Sequence, residues 1–289
     1  MALSNLDKVL YPQSGFTKGQ VVDYYARIAP VLLPHLRGRP LTLKRYPNGT
    51  EAAFFYEKRC PPHHPDWVAT LSVQSRSGGA TVNYCSADDL ATLVWLANLA
   101  VIELHPLLAL GSDVDVPTAM VFDLDPGPPA GLLDCARVAQ WCRDALGEAG
   151  LASWVKTSGS KGLQVYVPLN SSHNYDDTKP FAHRLAQRLE REHPEAVVEK
   201  MDKARRRGKV LIDWSQNHVS KTTVSVYSLR ARTRPTVSTP VTWDEVAQAL
   251  GAGEPERLVF EASQVLDRVE QQGDLFEPVV QRQQELPTD

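Results

Sequence analysis

The sequence predicts an α+β chain, with mixed and antiparallel sheets flanked by helices. Three observations carry that prediction. Short apolar runs of strand length recur along the chain, closed by Pro, Gly or Asn. Amphipathic stretches at helical spacing lie between them. Neither an internal repeat nor a long linker interrupts the 289 residues, which reads as one continuous unit.

Thr17 is placed to cap a helix through Gln20–Ile28, which Pro34, Gly38 and Pro40 should end. Leu41–Tyr46 reads as a strand closed by the Pro47-Asn48-Gly49 turn. Ala52–Tyr56 is a short aromatic run, and residues 61–65 form a Pro/His loop. Leu71–Tyr84 suggests a hairpin turning at Ser77-Gly78-Gly79. Asp88 should open an apolar helix through Ala100, followed by a strand at Ile102–His105. Downstream, helices are expected at Leu132–Leu146, Pro180–Glu192 and Trp243–Leu250. Strands are expected around Asp123 and Asp125, at Ser153–Thr157, Leu163–Leu169, Val210–Asp213 and Thr223–Leu229. The tail beyond Gly273 is polar and Gln-rich, which favours fraying or loose docking.

Composition is that of an ordinary globular protein, 43% hydrophobic and 22% charged, with no run of membrane-spanning length and no signal-peptide pattern. Cys60, Cys85, Cys135 and Cys142 have no zinc-like spacing, and a reducing cytoplasm fits them best. Cys135 and Cys142, seven apart on a helix, should share burial. The net charge of −3 does not advertise a nucleic-acid partner. Basic residues nevertheless cluster at Arg205-Arg206-Arg207-Gly208-Lys209 and at Arg230, Arg232 and Arg234. Such runs are commonly solvated faces, but a phosphate backbone responds to a local patch within a Debye length.

Val121-Phe122-Asp123-Leu124-Asp125-Pro126-Gly127 is the most informative segment. Strand alternation puts Asp123 and Asp125 on one face, where their charges repel unless a proton or a cation intervenes. Hard divalent ions such as manganese and magnesium suit carboxylate oxygens. Asp213 ends another apolar strand, and three strand-end aspartates can form a two-metal phosphoryl-transfer site. Alone, Asp-x-Asp before Pro-Gly is more often a solvated strand end or turn than a metal site, and dehalogenase-type phosphatases and sugar-nucleotide glycosyltransferases also place it on a strand. The loop Ser158-Gly159-Ser160-Lys161-Gly162 lies between two strands, so it is not a Walker A loop. It fits either a phosphate cradle or a solvated hairpin turn.

In combination, Asp123-Leu124-Asp125, Ser158-Gly159-Ser160-Lys161-Gly162 and Ile212-Asp213-Trp214-Ser215-Gln216-Asn217 resemble the catalytic motifs of archaeo-eukaryotic primases. More narrowly, they resemble the polymerase domain of bacterial ligase D. The similarity extends through Asn5–Pro12, Lys44–Gly49, Ala53–Phe55, Lys221–Thr223 and Tyr227–Val237. It implies a template-dependent nucleotidyltransferase that extends primer ends and fills gaps at DNA breaks in non-homologous end joining or repair, with a preference for ribonucleotides. Residues 1–273 would form a single primase-polymerase domain, with 1–110 a DNA-end-binding part, 111–273 the catalytic part and 274–289 a tail. Asp123, Asp125 and Asp213 would be catalytic and hold two Mn2+ or Mg2+ ions. Lys44, His105, Ser158, Ser160, Lys161, Gly162, Gln164, Gln216 and Arg230 would bind nucleotide. Asn5, Lys8, Lys18, Phe54, Phe55 and Arg206 would bind DNA, the lysines at a recessed 5′-phosphate and the phenylalanines by stacking on the template. On a strand, burial of one phenylalanine is the competing reading. The implied partners are DNA with 5′-phosphate ends, gaps or overhangs, NTP or dNTP, Ku and a DNA ligase. The implied setting is a bacterial, nucleoid-associated cytoplasmic monomer apart from end-bridging, with no membrane.

One position departs from the family pattern: Gln164 stands where Gly-Leu is usually followed by His. A neutral amide can donate a hydrogen bond to phosphate but cannot carry positive charge, so weaker nucleotide binding or slower transfer is expected. The competing function is a catalytically weakened module that binds or bridges DNA ends.

Overall fold

The computed structural model describes residues 1–74 and 79–287. The chain divides into two compact units that interleave in sequence. The first comprises residues 1–114, 222–238 and 260–274; the second comprises 115–221, 239–259 and 275–289.

The first unit opens with the ribbon β1 (Val9–Tyr11) and β2 (Phe16–Thr17), then α1 (Lys18–Leu36). Thr17 caps α1 through a reciprocal box: its hydroxyl accepts from the Gln20 amide, and Gln20 Oε1 accepts from the Thr17 amide. The helix runs through Pro30 and Pro34 instead of stopping at the latter. Burial of Ile28, Leu32, Leu33 and Leu36 along one stripe offsets the backbone bonds the prolines cannot make. The sheet contains β3 (Leu41–Arg45), β4 (Phe55–Glu57), β5 (Thr70–Val73), β6 (Val82–Cys85) and, after α2 (Leu90–Asn98), β7 (Val101–Pro106), paired antiparallel throughout. The β5–β6 hairpin is present, while Ser77 and Gly78 of its expected turn lie outside the described residues. Asp89, not Asp88, caps α2; Asp88 instead accepts from the Gly38 amide. A disulfide joins Cys60 to Cys85 across a Cα separation of 4.7 Å, tying the segment after β4 to β6. The expectation of reducing surroundings left that pairing unanticipated.

The strand expected at Thr223–Leu229 is absent. Only the isolated bridges at Thr222 and Leu229 form there, because Tyr227 adopts a left-handed φ of 62° and turns the chain. Its carbonyl accepts from the buried Tyr24 hydroxyl, while Ser225 and Ser228 bond the backbone of Leu104. This irregular segment therefore lies against β7, where it delivers Arg230.

A small ribbon, β8 (Ala109–Leu110) and β9 (Asp113–Pro117), precedes the long β10 (Ala119–Pro126) of the second unit. Next come α3 (Leu132–Glu148), β11 (Trp154–Thr157), β12 (Leu163–Pro168), α4 (Tyr175–Glu192), β13 (Val197–Val198), β14 (Val210–Asp213), β15 (Pro240–Val241) and α5 (Trp243–Ala252). α4 starts five residues before the expected Pro180, since Asn174 caps it and Asp176 and Asp177 favour its first turn. The sheet order is β13-β14-β10-β12-β11-β15, antiparallel except for β13 beside β14. Phe122 and Leu124 of β10 are buried, as are Cys135, Val138 and Cys142 of α3 and Leu185 and Leu189 of α4. The remaining helices are α6 (Ala262–Gln272) of the first unit and α7 (Pro278–Gln281) of the second. The tail is anchored: Phe276 is buried, and Gln284 bonds Ala152 and the Pro168 carbonyl. No helix of the described residues is long and apolar enough to cross a membrane.

Candidate active site

Four strands of the second unit carry one row of polar side chains. In register, Asp213 on β14 lies opposite Asp123 on β10, Asp123 opposite Gln164 on β12, and Gln164 opposite Lys156 on β11. Asp125 is two residues along from Asp123 and therefore shares its face. Cross-strand partners stand about 5 Å apart at Cβ, so the third aspartate is beside the first two.

β14 is held in place just beyond Asp213. A short 3-10 turn at Trp214–Gln216 leads to Asn217, whose side-chain amide donates to the Val121 carbonyl and whose Oδ1 accepts from the Val121 amide. Asp213 is fixed in turn. Its Oδ1 accepts from the Ser215 hydroxyl at 2.6 Å, and its Oδ2 from Gln216 Nε2 at 2.8 Å. Gln216, expected at the nucleotide, thus braces the third carboxylate.

Gln164, expected at the nucleotide, is bonded to two charged neighbours on the flanking strands. It is 3% exposed, with Nε2 donating to Asp123 Oδ1 at 3.0 Å and Oε1 accepting from Lys156 Nζ at 2.5 Å. The fully buried Lys156 had no signal in the sequence beyond its place in a strand. Burial pushes the Asp123 carboxyl up to about 7; Asp125 and Asp213 reinforce the rise, and the Gln164 bond and Lys156 oppose it. Arg206, expected at DNA near the primer, places a guanidinium nitrogen 3.7 Å from Asp125.

The Ser158–Gly162 loop closes on itself. Ser158 donates its amide to the Gly162 carbonyl, and its Oγ accepts from the Ser160 and Gly162 amides. Gly159 takes the left-handed conformation at the tip, and Lys161 is exposed. A Cβ on Gly162 would stand 1.9 Å from the Leu124 carbonyl oxygen, so only glycine lets the loop pack against the aspartate strand.

Among the described residues, no three His, Cys, Asp or Glu side chains are gathered closely enough to hold an ion as placed. The donor chemistry nevertheless suits a hard divalent cation, since three carboxylates share one face of adjoining strands. Asp123 accepts from the Gln164 side-chain amide, and Asp213 accepts from the Ser215 hydroxyl and the Gln216 side-chain amide.

The first unit gathers a second polar set. Glu103 on β7, 2% exposed, accepts from His105 Nε2 at 2.9 Å and from the Ala231 amide at 3.0 Å. Lys44 Nζ and Arg230 Nε stand 3.7 and 3.5 Å from its oxygens. Burial alone would raise the Glu103 carboxyl, but the His105 bond and the neighbouring cations hold it well below the usual carboxylate range. Three of the expected nucleotide ligands thus surround a carboxylate that the sequence reading missed.

Phe54 and Phe55 are 49% and 55% exposed, so neither is lost to the core; β4 is an edge strand. Lys44 Nζ lies 4.4 Å from the Phe54 ring centre. Lys8 and Lys18 are brought together: the Lys18 amide donates to the Lys8 carbonyl, and Asn5 lies on the same turn. Lys18 Nζ donates to Ser4, and burial together with Lys8 lowers its pKa.

Residues 17–276 match the family model described as LigD, primase-polymerase domain. The multifunctional non-homologous end joining protein LigD of Mycobacterium bovis is 42% identical over 285 residues, covering 96% of this chain and 36% of that protein. That of Mycolicibacterium smegmatis is 41% identical over 279 residues, with the same coverage of each chain. The chain thus spans about a third of the length of these curated relatives. The solved polymerase domain from Mycobacterium tuberculosis ligase D in complex with DNA superposes with a TM-score of 0.89 at 39% identity, covering 99% of each chain. The chain belongs to the LigD primase-polymerase domain family, a family of nucleotidyltransferases.

Proposed function

We propose that this protein adds nucleotides, preferentially ribonucleotides, to primer 3′ ends at DNA breaks and gaps under the direction of a template strand. The observation that carries the reading is the register of Asp123, Asp125 and Asp213 on one face of adjoining strands in a chain of this family. Those carboxylates would hold two manganese or magnesium ions, which supply acidification of the primer hydroxyl and charge neutralisation at the triphosphate. Gln164, Ser215 and Gln216 orient the carboxylate oxygens. In the second unit Lys161 and the Ser158–Gly162 loop supply donors suited to phosphates; in the first unit Lys44, His105 and Arg230 do.

A relative solved in complex with DNA supports a DNA substrate. Phe54 and Phe55 offer exposed rings for stacking on template bases, which is tolerant of sequence and therefore suited to arbitrary ends. Lys8 and Lys18 supply paired cations for a 5′-phosphate, and Arg206 lies by the catalytic aspartates rather than on a remote surface. The names of the relatives support end joining as the pathway; Ku and a DNA ligase as partners, in a bacterial cytoplasm, belong to the proposal.

Extension of a labelled primer across a gap carrying a 5′-phosphate, with manganese and either NTP or dNTP, tests the reading. Template-directed addition favouring NTP and abolished in Asp123→Ala is expected. DNA binding with no addition under any metal would favour the alternative of a weakened end-bridging module.

A further inference from the structure

Glu103 is the most deeply buried carboxylate of the first unit and has no place in the reaction proposed so far. Its surroundings are specific. From its own strand comes His105, from β3 Lys44, and from the irregular segment after Tyr227 come Arg230 and the Ala231 amide. Tyr56 on β4 faces the same imidazole, with ring centres 5.9 Å apart. The side chains of Lys44, His105 and Arg230 remain partly exposed, at 19%, 10% and 16%, above a carboxylate that is 2% exposed.

An ionised carboxylate only accepts hydrogen bonds, so the 2.9 Å contact requires the proton of His105 on Nε2. In a neutral ring Nδ1 is then an acceptor, and an acceptor repels phosphate oxygen. To donate to an anion, the ring must also bind a proton at Nδ1. Resting on the nucleotide-phosphate reading of Lys44, His105 and Arg230, we propose that Glu103 is the positioning residue of a polyphosphate-binding head, and that His105 takes up a proton from solvent when the phosphates bind. The Nδ1 lone pair accepts that proton, and the imidazolium is then held between the Glu103 carboxylate and the ligand. Burial keeps the empty ring below its ordinary range, and Arg230 and Lys44 act in the same direction against the opposing effect of Glu103. The site is therefore poised to load a proton only with its anion.

Charge alone and positioning predict opposite signs for Glu103→Gln. Removing a negative charge beneath three basic groups would tighten binding of a triphosphate if charge were all that mattered. Positioning predicts weaker binding, by about tenfold, because Lys44 and Arg230 lose their anchor and His105 its fixed tautomer.

The experiment is calorimetric titration of ATP into metal-free protein at pH 7.5, in buffers of different ionisation enthalpy. The expected result is uptake of about one proton per ATP in the parent protein. Uptake should be lost in Glu103→Gln and His105→Gln, with weaker binding in the former. Nitrogen-15 spectra of the labelled histidines of the parent protein give a second readout that needs no variant to fold. One ring should pass from the Nε2-protonated tautomer to imidazolium on adding ATP. Binding without uptake, an unchanged tautomer, or Glu103→Gln binding as tightly as the parent would overturn the proposal and leave the polymerase reading intact. Failure of the parent protein to bind ATP would overturn the phosphate-binding reading as well.

Discussion

Replacing Asp123 with Asn separates the electrostatic strain of the aspartate cluster from its chemistry. Burial, Asp125 and Asp213 hold the Asp123 carboxyl near 7 rather than in the usual range near 4. The folded state therefore favours the protonated form. Below about pH 4 both folded and unfolded chains are protonated, and the site contributes no pH-dependent loss. As pH rises from about 4 to about 7 the unfolded chain ionises first, so folding stability falls, reaching its full loss above 7. At about 1.4 kcal/mol per pH step the upper bound is roughly 4 kcal/mol, and partial solvent access reduces this to about 2 kcal/mol. For a chain of this size the full loss is a fall in Tm of roughly 4–8 °C, of which somewhat more than half, about 2–5 °C, falls between pH 5 and 7.5. Differential scanning fluorimetry in EDTA should show this fall for the parent protein relative to Asp123→Asn, whose amide has no charge to lose. Manganese at pH 7.5 should restore the parent protein and leave the variant almost unmoved. Parallel pH curves for the two proteins in EDTA would refute the reasoning, because the cluster would then carry no repulsion for a cation to relieve.

The remaining perturbations probe separate parts of the molecule. Phe54→Ala with Phe55→Ala should leave Tm within about 2 °C, since both rings are exposed, yet weaken binding of a template overhang by about 1–3 kcal/mol per stacked base in fluorescence anisotropy. Lys8→Ala with Lys18→Ala should abolish discrimination between recessed 5′-phosphate and 5′-hydroxyl ends, read as the ratio of the two Kd values. Gly162→Ala forces a methyl group against the Leu124 carbonyl and should lower Tm by several degrees, with loss of primer extension even where the protein folds. Gln164→Leu removes the amide between Lys156 and Asp123, and should weaken manganese binding measured by electron paramagnetic resonance by about tenfold without preventing folding.

Features specified by near neighbours were legible in the sequence, and features specified by distant ones were not. Thr17 and Gln20 are three residues apart, so their capping box could be read directly. Asp123 and Asp125 share a face by strand periodicity alone, and Asp213 announced itself as the polar end of an apolar run. By contrast, Glu103 takes its meaning from Lys44, 59 residues before it, and Arg230, 127 residues after it. One local sign was available: Glu103 and His105 alternate within an apolar strand and must share a face, which is an unusual demand for a buried position. The Tyr227 reversal left no such sign, because a tyrosine at positive φ is an exception that β-propensity cannot anticipate. The same division governs Gln164. Its identity suggested a weakened phosphate contact, whereas the ladder places it between a buried lysine and the leading aspartate. A neutral amide there is suited to the position: it donates to one charged neighbour and accepts from the other, so both charges are satisfied without adding a third.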